Sequence, residues 1–470
     1  MKACFIFTPN QMVNKCFYTA SIWKNYSKNA VLLPSLGLAY LAALLRDKGH
    51  AVSLIDANIL NLSKEQIIDK LNEIRPDYVL YNAITDNLQD TISWIREIRK
   101  GYDKPVIIGG PHMEIYPGET LSHECIDYGV VGDGWETLPE LLNALENKKD
   151  LTDVKGLVFR KDGNIILTEE RPKTVSLEDV PFPARDLLPN EKYDMIASKN
   201  KPLTIMITAL GCPFRCTYCC TDTNLRARSA DHIVAEVEEC INKYGIREIE
   251  FYDETFTVNK KTMKRFLDLI EKKGLKFNFS IRTRVDCVDE ELIHRMAKNG
   301  CIRINFGIES GDERVLKATN RNMSIDTIRK SVKMANEAGI LTFGFFMIGL
   351  PQDTKESIEK TLNLMLELDL DFMQLNKFTL LPKTQMYEDY KKETGKDFWR
   401  DYTLGKVTLD DFERDYIKIT EKELDDYLEK GYRQFYYRPK YIWKKLLQVS
   451  SFTEFKRLAS GALSLMGSRG

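Results

Sequence analysis

Three cysteines on one short loop form the pattern in this sequence with the clearest chemical meaning. Cys212, Cys216 and Cys219 follow directly after the apolar run 204–210 and Gly211, with three and then two residues between successive thiols. Three thiolates at this spacing can hold three irons of a cubane cluster and leave the fourth iron with an open position. Two other interpretations remain open: buried apolar fillers, or half of a zinc site. The pattern favours the iron–sulfur cluster, and we predict these three cysteines as its ligands.

Charged side chains end two of the later apolar runs. Asp253 and Glu254 lie at the end of EFYDETF, where adjacent carboxylates suit an acid–base pair, a metal site or a receptor for an ammonium group. Arg282 and Arg284 lie at the end of SIRTR. Because the pKa of a guanidinium is too high for proton transfer, these arginines suit carboxylate binding or pairing with a structural carboxylate.

The composition is that of an ordinary globular protein. Hydrophobic residues make up 43% and charged residues 29% of the 470 residues, a length that predicts two or three domains. The formal net charge of −1 gives no reason to expect a nucleic-acid partner. Ten cysteines without a secretory signal indicate a reducing compartment and metal chemistry rather than disulfides. We therefore expect a cytoplasmic protein that binds no nucleic acid.

The elements that must position these residues begin with residues 1–150, which alternate between apolar runs and amphipathic segments. Strands are predicted at 2–9, 51–58, 77–84 and 104–110, and helices at 35–50, 63–74 (with Ser63 as N-cap) and 88–100. This alternation predicts a doubly wound, Rossmann-like parallel sheet that binds ligands at the carboxyl ends of its strands. Residues 82–86, 109–112 and 132–136 occupy such ends. Their glycines let a large flat molecule or a phosphate approach the backbone.

The rest of the chain divides into a linker, a second α/β domain and a helical end. Residues 151–200 contain a hairpin pattern around Asp162-Gly163 and a proline-rich connector. Residues 201–384 alternate strands with helices, and the strands are predicted near 203–209, 247–252, 277–281, 302–306, 340–348 and 371–378. Six strand–helix units predict a partial (β/α)6 barrel of the TIM type. Residues 385–470 are expected to be helical, to cover the open side of the barrel and to shape a substrate pocket.

The cysteine loop, in the wording CPFRCTYC, resembles the radical S-adenosylmethionine superfamily, and its cobalamin-associated branch in particular. PSLGLAYLAALLRDKGHAVSLIDA, VIIGGPHMEIYP and DYGVVGDGWETLPELL are similar to the cobalamin-binding domain that precedes many of these enzymes. The resemblance implies a 4Fe-4S cluster, S-adenosylmethionine and cobalamin as cofactors, and a flavodoxin or ferredoxin as reducing partner. Two departures are visible. No Asp-x-His-x-x-Gly motif occurs, so cobalamin would lack a lower histidine ligand, and GDGWE replaces the more usual Gly-Glu-Gly-Glu.

Carried over residue by residue, the resemblance implies contacts for both small cofactors. S-adenosylmethionine would be bound by Asp253, Glu254, Arg282, Glu309, Ser310, Ile348 and Gly349. Asp253 and Glu254 correspond to the position that receives its amino group. Cobalamin would lie against Thr85, Gly109, Gly110, Pro111, His112, Gly132 and Gly134, where His112 is expected to be a turn residue facing the cofactor or solvent. Arg321 matches a recurrent family arginine but equally fits a solvated loop charge, and the family has no role for Cys220.

The C-terminal end is strongly basic. From Arg433 onward Glu454 is its single acidic residue, and aromatic residues stand beside basic ones in YRPKYIWKKLLQ. Such a tail can rest on an anionic membrane surface as a peripheral contact. The plainer interpretation is a helix packed on the acidic segment before it.

Three functions are compatible with these patterns. The favoured one is a cobalamin-dependent radical S-adenosylmethionine methyltransferase that acts on an unactivated sp3 carbon of a small molecule through a 5′-deoxyadenosyl radical. The second has the same architecture but performs cyclisation, oxidation or carbon–carbon coupling, as in the anaerobic porphyrin cyclases and some lipid-modifying relatives. The third is a non-enzymatic iron–sulfur protein. Product mass separates the first two, and no residue in the sequence selects the substrate.

Overall fold

The computed structural model describes residues 1–9, 31–173, 175–195 and 197–448. These residues form two compact units, and each unit is built around a mainly parallel sheet. Within the described residues, the first unit comprises 1–9, 34–193 and 394–411, and the second comprises 31–33, 194–393 and 412–448.

The first unit has a seven-stranded sheet. Its strands are β1 (Lys2–Phe7), β2 (Ala51–Asp56), β3 (Tyr78–Asn82), β4 (Val106–Gly109), β5 (Tyr128–Val130), β6 (Leu157–Lys161) and β7 (Asn164–Leu167). Its helices are α1 (Leu36–Asp47), α2 (Lys64–Ile74), α3 (Leu88–Gly101), α4 (Pro117–Leu121) and α5 (Thr137–Glu146). The strand order is β2-β1-β3-β4-β5-β6-β7, and the first five strands of this order are parallel. This is the predicted doubly wound sheet.

Local sequence signals explain several of these elements. Ser63 is the N-cap of α2, and it forms a capping box with Gln66. Asp162 and Gly163 both have positive φ and join β6 to β7, as a two-residue hairpin loop requires. The hairpin also pairs antiparallel with β5, so these residues of the predicted linker extend the first sheet.

The second unit has a six-stranded parallel sheet whose strands follow one another in chain order. They are β8 (Leu203–Met206), β9 (Glu248–Phe251), β10 (Asn278–Arg284), β11 (Cys301–Glu309), β12 (Leu341–Ile348) and β13 (Phe372–Lys377). The helices between them are α6 (Ala230–Tyr244), α7 (Lys260–Lys273), α8 (Glu290–Lys298), α9 (Glu313–Ala318), α10 (Ile325–Glu337) and α11 (Lys355–Glu367). All six strands lie where the sequence predicts them, and the sequential parallel order is that of a partial barrel.

The hydrophobic core of the second unit lies between its strands and the surrounding helices. Phe251, Phe266 and Phe279 pack edge to face there, with ring centroids 5.6 to 6.2 Å apart. Because side chains alternate between the two faces of a strand, the neighbouring residues of the same strands lie on the opposite, inner face. The polar residues of the candidate site are on this inner face.

The C-terminal part contains α12 (Gln385–Thr394), α13 (Phe398–Thr403), α14 (Glu421–Tyr436) and α15 (Pro439–Gln448). Helix α14 packs on β13 and α11. Residues 394–411 instead belong to the first unit, because Trp399 and Thr403 of α13 are buried beside α3 and α4. The apolar end of the basic tail, ASGALSLM, lies outside the described residues. No helix in the described part of the chain is long and apolar enough to cross a membrane.

Candidate active site

The predicted cluster loop is closed by its own backbone. Ala209–Leu210 pair antiparallel with Arg226–Ala227, so residues 211–225 form a loop that returns to its start. Gly211 has a φ of +86°, and a Cβ atom at this position would lie 2.3 Å from the carbonyl oxygen of Asn224. Glycine is therefore required where the loop leaves β8.

Two of the three thiols have neutral hydroxyl neighbours. Sγ of Cys212 lies 3.6 Å from Oγ1 of Thr255, and the thiol of Cys219 donates to Oγ1 of Thr221 at 3.2 Å. In the described ranges, no three His, Cys, Asp or Glu side chains are grouped closely enough to hold one metal ion. Three soft donors on one loop suit a cluster in which each thiolate binds a different iron. The ligand set stays a prediction.

The third thiol has two cationic neighbours. Nη1 of Arg284 and Nη1 of Arg321 each lie 3.8 Å from Sγ of Cys216. Only 5% of Arg284 and 7% of Arg321 is exposed, so Arg321 is not a solvated loop charge. Sequence reasoning missed this pair because Arg284 ends β10, whereas Arg321 lies far along the chain in the connection between α9 and α10.

Asp253 holds the start of the cluster loop. Its Oδ1 accepts from the backbone N–H groups of Thr208 and Ala209 at 2.7 Å each, and its Oδ2 accepts from the Thr208 hydroxyl at 3.1 Å. The side chain is 2% exposed, and burial raises its pKa to about 6 against these hydrogen bonds. The geometry supports a positioning role for this carboxylate rather than the predicted contact with an amino group.

Glu254 and Arg282 remain accessible at the same edge. The Glu254 side chain is exposed. Desolvation by the surrounding protein raises the pKa of its carboxyl group, and the positive charge of Arg282 opposes this rise. The guanidinium of Arg282 stacks on the Tyr252 ring, 3.4 Å from the ring centroid. Its Nε has no hydrogen-bond partner among the described residues and lies 3.6 Å from Oε1 of Glu250. The exposed Glu254 carboxylate and the half-buried Arg282 guanidinium, whose Nε itself is buried, are the two charges at this strand edge.

A buried polar network below these residues was not predicted. Oε2 of Glu250 accepts from Arg303 at 2.6 Å, and Oε1 accepts from Asn305 at 3.0 Å. The Ser280 hydroxyl also donates to Glu250. The signal was present as alternating polar residues in the strand sequences EIEF, NFSIRTR and CIRINF. Because strand side chains alternate between faces, this pattern places one polar row inside the barrel.

Glu309 and Ser310 are adjacent in sequence, but their side chains have different surroundings. Glu309 has a φ of +72°, and its Oε1 lies 3.4 Å from Nη2 of Arg321. Burial raises the pKa of Glu309, and Arg321 and Arg284 oppose that rise. Ser310 is buried beside α11, 3.3 Å from the hydroxyl of Thr361. Glu309 thus belongs to the group around Cys216, whereas Ser310 fixes the strand–helix connection.

At the end of β12, the described contacts involve backbone groups rather than side chains that could face a ligand. Ile348 is fully buried, so its side chain presents no surface to a ligand. The N–H groups of Gly349 and Leu350 both donate to Oδ2 of Asp353, at 2.9 and 3.0 Å. Gly349 therefore lies in a tight turn that fixes where β12 ends.

In the first unit, Gly110 brings the ends of β3 and β4 together. It has a φ of +105°, and a Cβ atom there would lie 2.2 Å from Oδ1 of Asn82 and 2.6 Å from the carbonyl oxygen of Ala83. Gly109 is half-buried just before it, and Pro111 is exposed just after it. Glycine is therefore required where these two strand ends pack together, and the cobalamin contacts themselves stay a prediction.

His112 faces neither solvent nor an open site. The residue is 0% exposed, Nδ1 lies 3.2 Å from Oγ1 of Thr85, and Nε2 lies 3.4 Å from Oγ1 of Thr403. Burial beside His123 lowers its pKa to about 4, so the ring is neutral near pH 7. His112, which was expected to be a turn residue facing the cofactor or solvent, is therefore a buried residue that links Thr85 to α13.

The predicted turn after β5 contains Gly132 and Gly134. Both glycines have positive φ and line a small pocket with Asp133, Arg171 and Lys173. Arg171 donates to Oγ1 of Thr137 at 2.9 Å. The 151–200 segment thus supplies two basic side chains to a strand end that was predicted to bind a cofactor.

Comparison with known proteins adds two domain families. Residues 206–365 match the radical SAM superfamily, and residues 27–142 match the B12 binding domain. The uncharacterized methyltransferase PH0819 of Pyrococcus horikoshii is 32% identical over 444 residues, covering 92% of this chain and 93% of that protein. The anaerobic magnesium-protoporphyrin IX monomethyl ester cyclase of Rubrivivax gelatinosus is 27% identical over 413 residues, covering 85% of this chain and 71% of that protein.

A solved structure is similar in fold. The radical S-adenosylmethionine methyltransferase TsrM from Kitasatospora setae aligns with a TM-score of 0.68 and 19% identity, covering 83% of this chain and 78% of that one. Fold, loop and domain matches together define an enzyme with a radical SAM domain and a B12-binding domain. The chain belongs to the radical S-adenosylmethionine superfamily, in the branch that also carries a B12-binding domain. The predicted fold class, family and cofactors (a 4Fe-4S cluster, S-adenosylmethionine and cobalamin) are thereby confirmed.

Proposed function

We propose that this protein is a cobalamin-dependent methyltransferase that methylates an unactivated sp3 carbon of a small molecule. The observation that carries the proposal is the presence of both domains in one chain that matches a named methyltransferase over nearly its whole length. The closed cysteine loop at the carboxyl edge of the second sheet is consistent with it. A cytoplasmic setting and a flavodoxin or ferredoxin as electron donor complete the proposal, and peripheral membrane contact through the basic tail remains a hypothesis.

The residues take the following roles in this proposal. Cys212, Cys216 and Cys219 hold the 4Fe-4S cluster. When bound, the cluster and S-adenosylmethionine supply a 5′-deoxyadenosyl radical, and cobalamin supplies the methyl group. Glu254 and Arg282 are accessible charges at the same strand ends, suited to the amino and carboxylate groups of S-adenosylmethionine.

Other residues support these contacts. We propose that Glu309 and the Gly349 backbone border S-adenosylmethionine, whereas Asp253, Ser310 and Ile348 fix the backbone behind it. In the first unit we propose that cobalamin is bordered by residues at three strand ends, namely Thr85, Gly109, Gly110, Pro111, Gly132 and Gly134. His112 holds Thr85 from behind.

A second candidate function is ring closure or oxidation. Phe343, Phe345 and Phe372 lie half-buried on the inner face of β12 and β13, with ring centroids 4.9 and 6.1 Å apart. Such an aromatic wall suits a flat or apolar substrate. The cyclase of Rubrivivax gelatinosus is a relative with that kind of reaction in its name.

Anaerobic reconstitution with iron, sulfide and hydroxocobalamin tests the proposal. We expect about one cobalamin and about four irons per chain, as the donor set predicts, and cleavage of S-adenosylmethionine under reducing conditions. Cys219→Ser should lower iron content and abolish cleavage, whereas Cys220→Ser, its exposed neighbour, should leave both unchanged. Once a substrate is found, a product heavier by one methylene supports methyl transfer. A product that has lost hydrogens supports the second candidate, and a folded protein without a cluster contradicts both.

A further inference from the structure

The two arginines at Cys216 are each held by several partners. Arg284 makes a two-pronged ion pair with Asp286, at 2.9 and 2.7 Å, and also donates to the backbone carbonyl of Arg321 at 2.9 Å. Its guanidinium stacks on Phe214 of the cluster loop, 3.8 Å from the ring centroid. These contacts leave Nη1 directed at Sγ of Cys216.

Arg321 lies near the same sulfur. Its Nη1 donates to the Tyr218 hydroxyl oxygen at 2.8 Å and lies 3.8 Å from Sγ of Cys216. Its Nη2 donates to the carbonyl oxygen of Gly307 and lies 3.4 Å from Glu309. The Arg321 guanidinium is therefore held by several partners at once. Their arrangement suits the planar N–H groups of a guanidinium and not an ammonium.

The three thiols consequently have unequal surroundings. Cys212 and Cys219 have neutral hydroxyl neighbours, whereas Cys216 has two buried cations. The carboxylates of Asp286 and Glu309 balance the formal charge, but they bind other atoms of the two guanidinium groups. The Nη1 atoms of the two arginines lie 3.8 Å from the sulfur of Cys216.

We propose that Arg284 and Arg321 are positioning residues that act through Cys216 and raise the reduction potential of the cluster. The inference rests on the proposed function, because it takes Cys216 as a cluster ligand. One-electron reduction makes the cluster and its thiolates more negative, so N–H donors and cations near a ligand sulfur stabilise the reduced form more than the oxidised form. The effect is strong here because both arginines are shielded from water.

The experiment is a potentiometric titration of the reconstituted protein, monitored by electron paramagnetic resonance of the reduced cluster. Arg284→Gln and Arg321→Gln remove the charge, and each should lower the equilibrium constant for reduction by about tenfold, which is about 59 mV for a one-electron couple. Arg321→Lys keeps the charge and should fall between wild type and the glutamine variant. Arg215→Gln is the matched control, because this exposed arginine stands next to Cys216 in the same loop.

Iron content and equilibrium binding of S-adenosylmethionine are measured on the same samples. A potential unchanged in both glutamine variants, with weaker S-adenosylmethionine binding, overturns the proposal and makes the arginines cofactor receptors. A lysine variant as low in potential as the glutamine variant overturns the role of charge. If the glutamine variants bind no iron, Arg284→Lys and Arg321→Lys decide, and wild-type potentials in both overturn the proposal. Absence of a cluster from the wild type refutes the proposed function instead.

Discussion

Replacing Asp253 separates two roles for one carboxylate. Asp253→Asn keeps an oxygen that can accept from the N–H groups of Thr208 and Ala209, and its amide group can donate to the Thr208 hydroxyl. Asp253→Ala leaves both N–H groups without a partner. Each unsatisfied buried donor costs about 1–3 kcal/mol, so at neutral pH the alanine variant should open the loop about 2–6 kcal/mol more easily, whereas the asparagine variant should stay within about 1 kcal/mol of wild type.

Hydrogen exchange of the peptide that contains Thr208 and Ala209 measures this difference directly. A change of about 2 kcal/mol corresponds to roughly thirtyfold faster exchange. Iron content should follow the same order, with the asparagine variant near wild type and the alanine variant depleted. Glu254→Gln is the matched control, because it removes an adjacent, exposed carboxylate and should leave loop exchange unchanged. Equal exchange in the two Asp253 variants, or normal loops with lost S-adenosylmethionine binding in Asp253→Asn, would refute the positioning role.

Asp253 also makes stability depend on pH. Burial raises the pKa of its carboxyl group from 3.8 to about 6, so the folded state binds a proton more tightly than the unfolded state does. Stability therefore falls as pH rises from about 4 to about 6, by about 3 kcal/mol at 1.36 kcal/mol per pKa unit. The asparagine variant lacks this titration. Corrected for intrinsic exchange, the wild-type loop should therefore become more stable relative to the Asp253→Asn loop by about 3 kcal/mol as pH falls from about 6 to about 4, and the difference should stay constant above that window.

Two further substitutions test the C-terminal helices. Tyr432→Phe removes the hydroxyl that bonds both backbone groups of Leu375 and should destabilise the second unit by about 1–3 kcal/mol in urea unfolding, whereas Tyr427→Phe should not. Trp399→Ala removes a fully buried side chain from the first unit and should cost about 3–5 kcal/mol. Trp399→Ala should also weaken hydroxocobalamin binding in equilibrium dialysis. The matched control is Trp443→Ala, which replaces an exposed tryptophan. Equal binding in both variants would exclude a role for α13 at the proposed cobalamin site.

Periodicity and local signals were sufficient to predict the framework. The six strands of the second sheet, the N-cap at Ser63 and the turn at Asp162-Gly163 depend on residues close in sequence, and each was predicted correctly. The cysteine spacing likewise indicated the family, because three ligands of one cluster lie on a single loop. Placement of a residue at a strand end followed from the same local reasoning.

The partner of each polar side chain did not follow from local reasoning. Asp253 turns back to Thr208, 45 residues earlier, and Arg321 reaches Cys216, 105 residues earlier. A carboxylate at a strand end is equally suited to a ligand or to the backbone of the neighbouring strand, and only the packed neighbours decide between them. His112 shows the same limit, because the helix that buries it lies 291 residues away at Thr403.

The open edge of the six-stranded sheet explains why helix α14 is needed. Strand β13 is an edge strand, and the N–H and C=O groups of Met373 and Leu375 point away from β12. The hydroxyls of Tyr436 and Tyr432 each bond both groups of one of these residues, at 2.8 to 3.2 Å. Four residues of helix span about 6 Å and two residues of strand about 6.6 Å, so the two tyrosines match the two free positions in register. Helix α14 thus satisfies the backbone groups of this edge that a seventh strand would otherwise pair, so this edge of the partial barrel is not left open at these two residues.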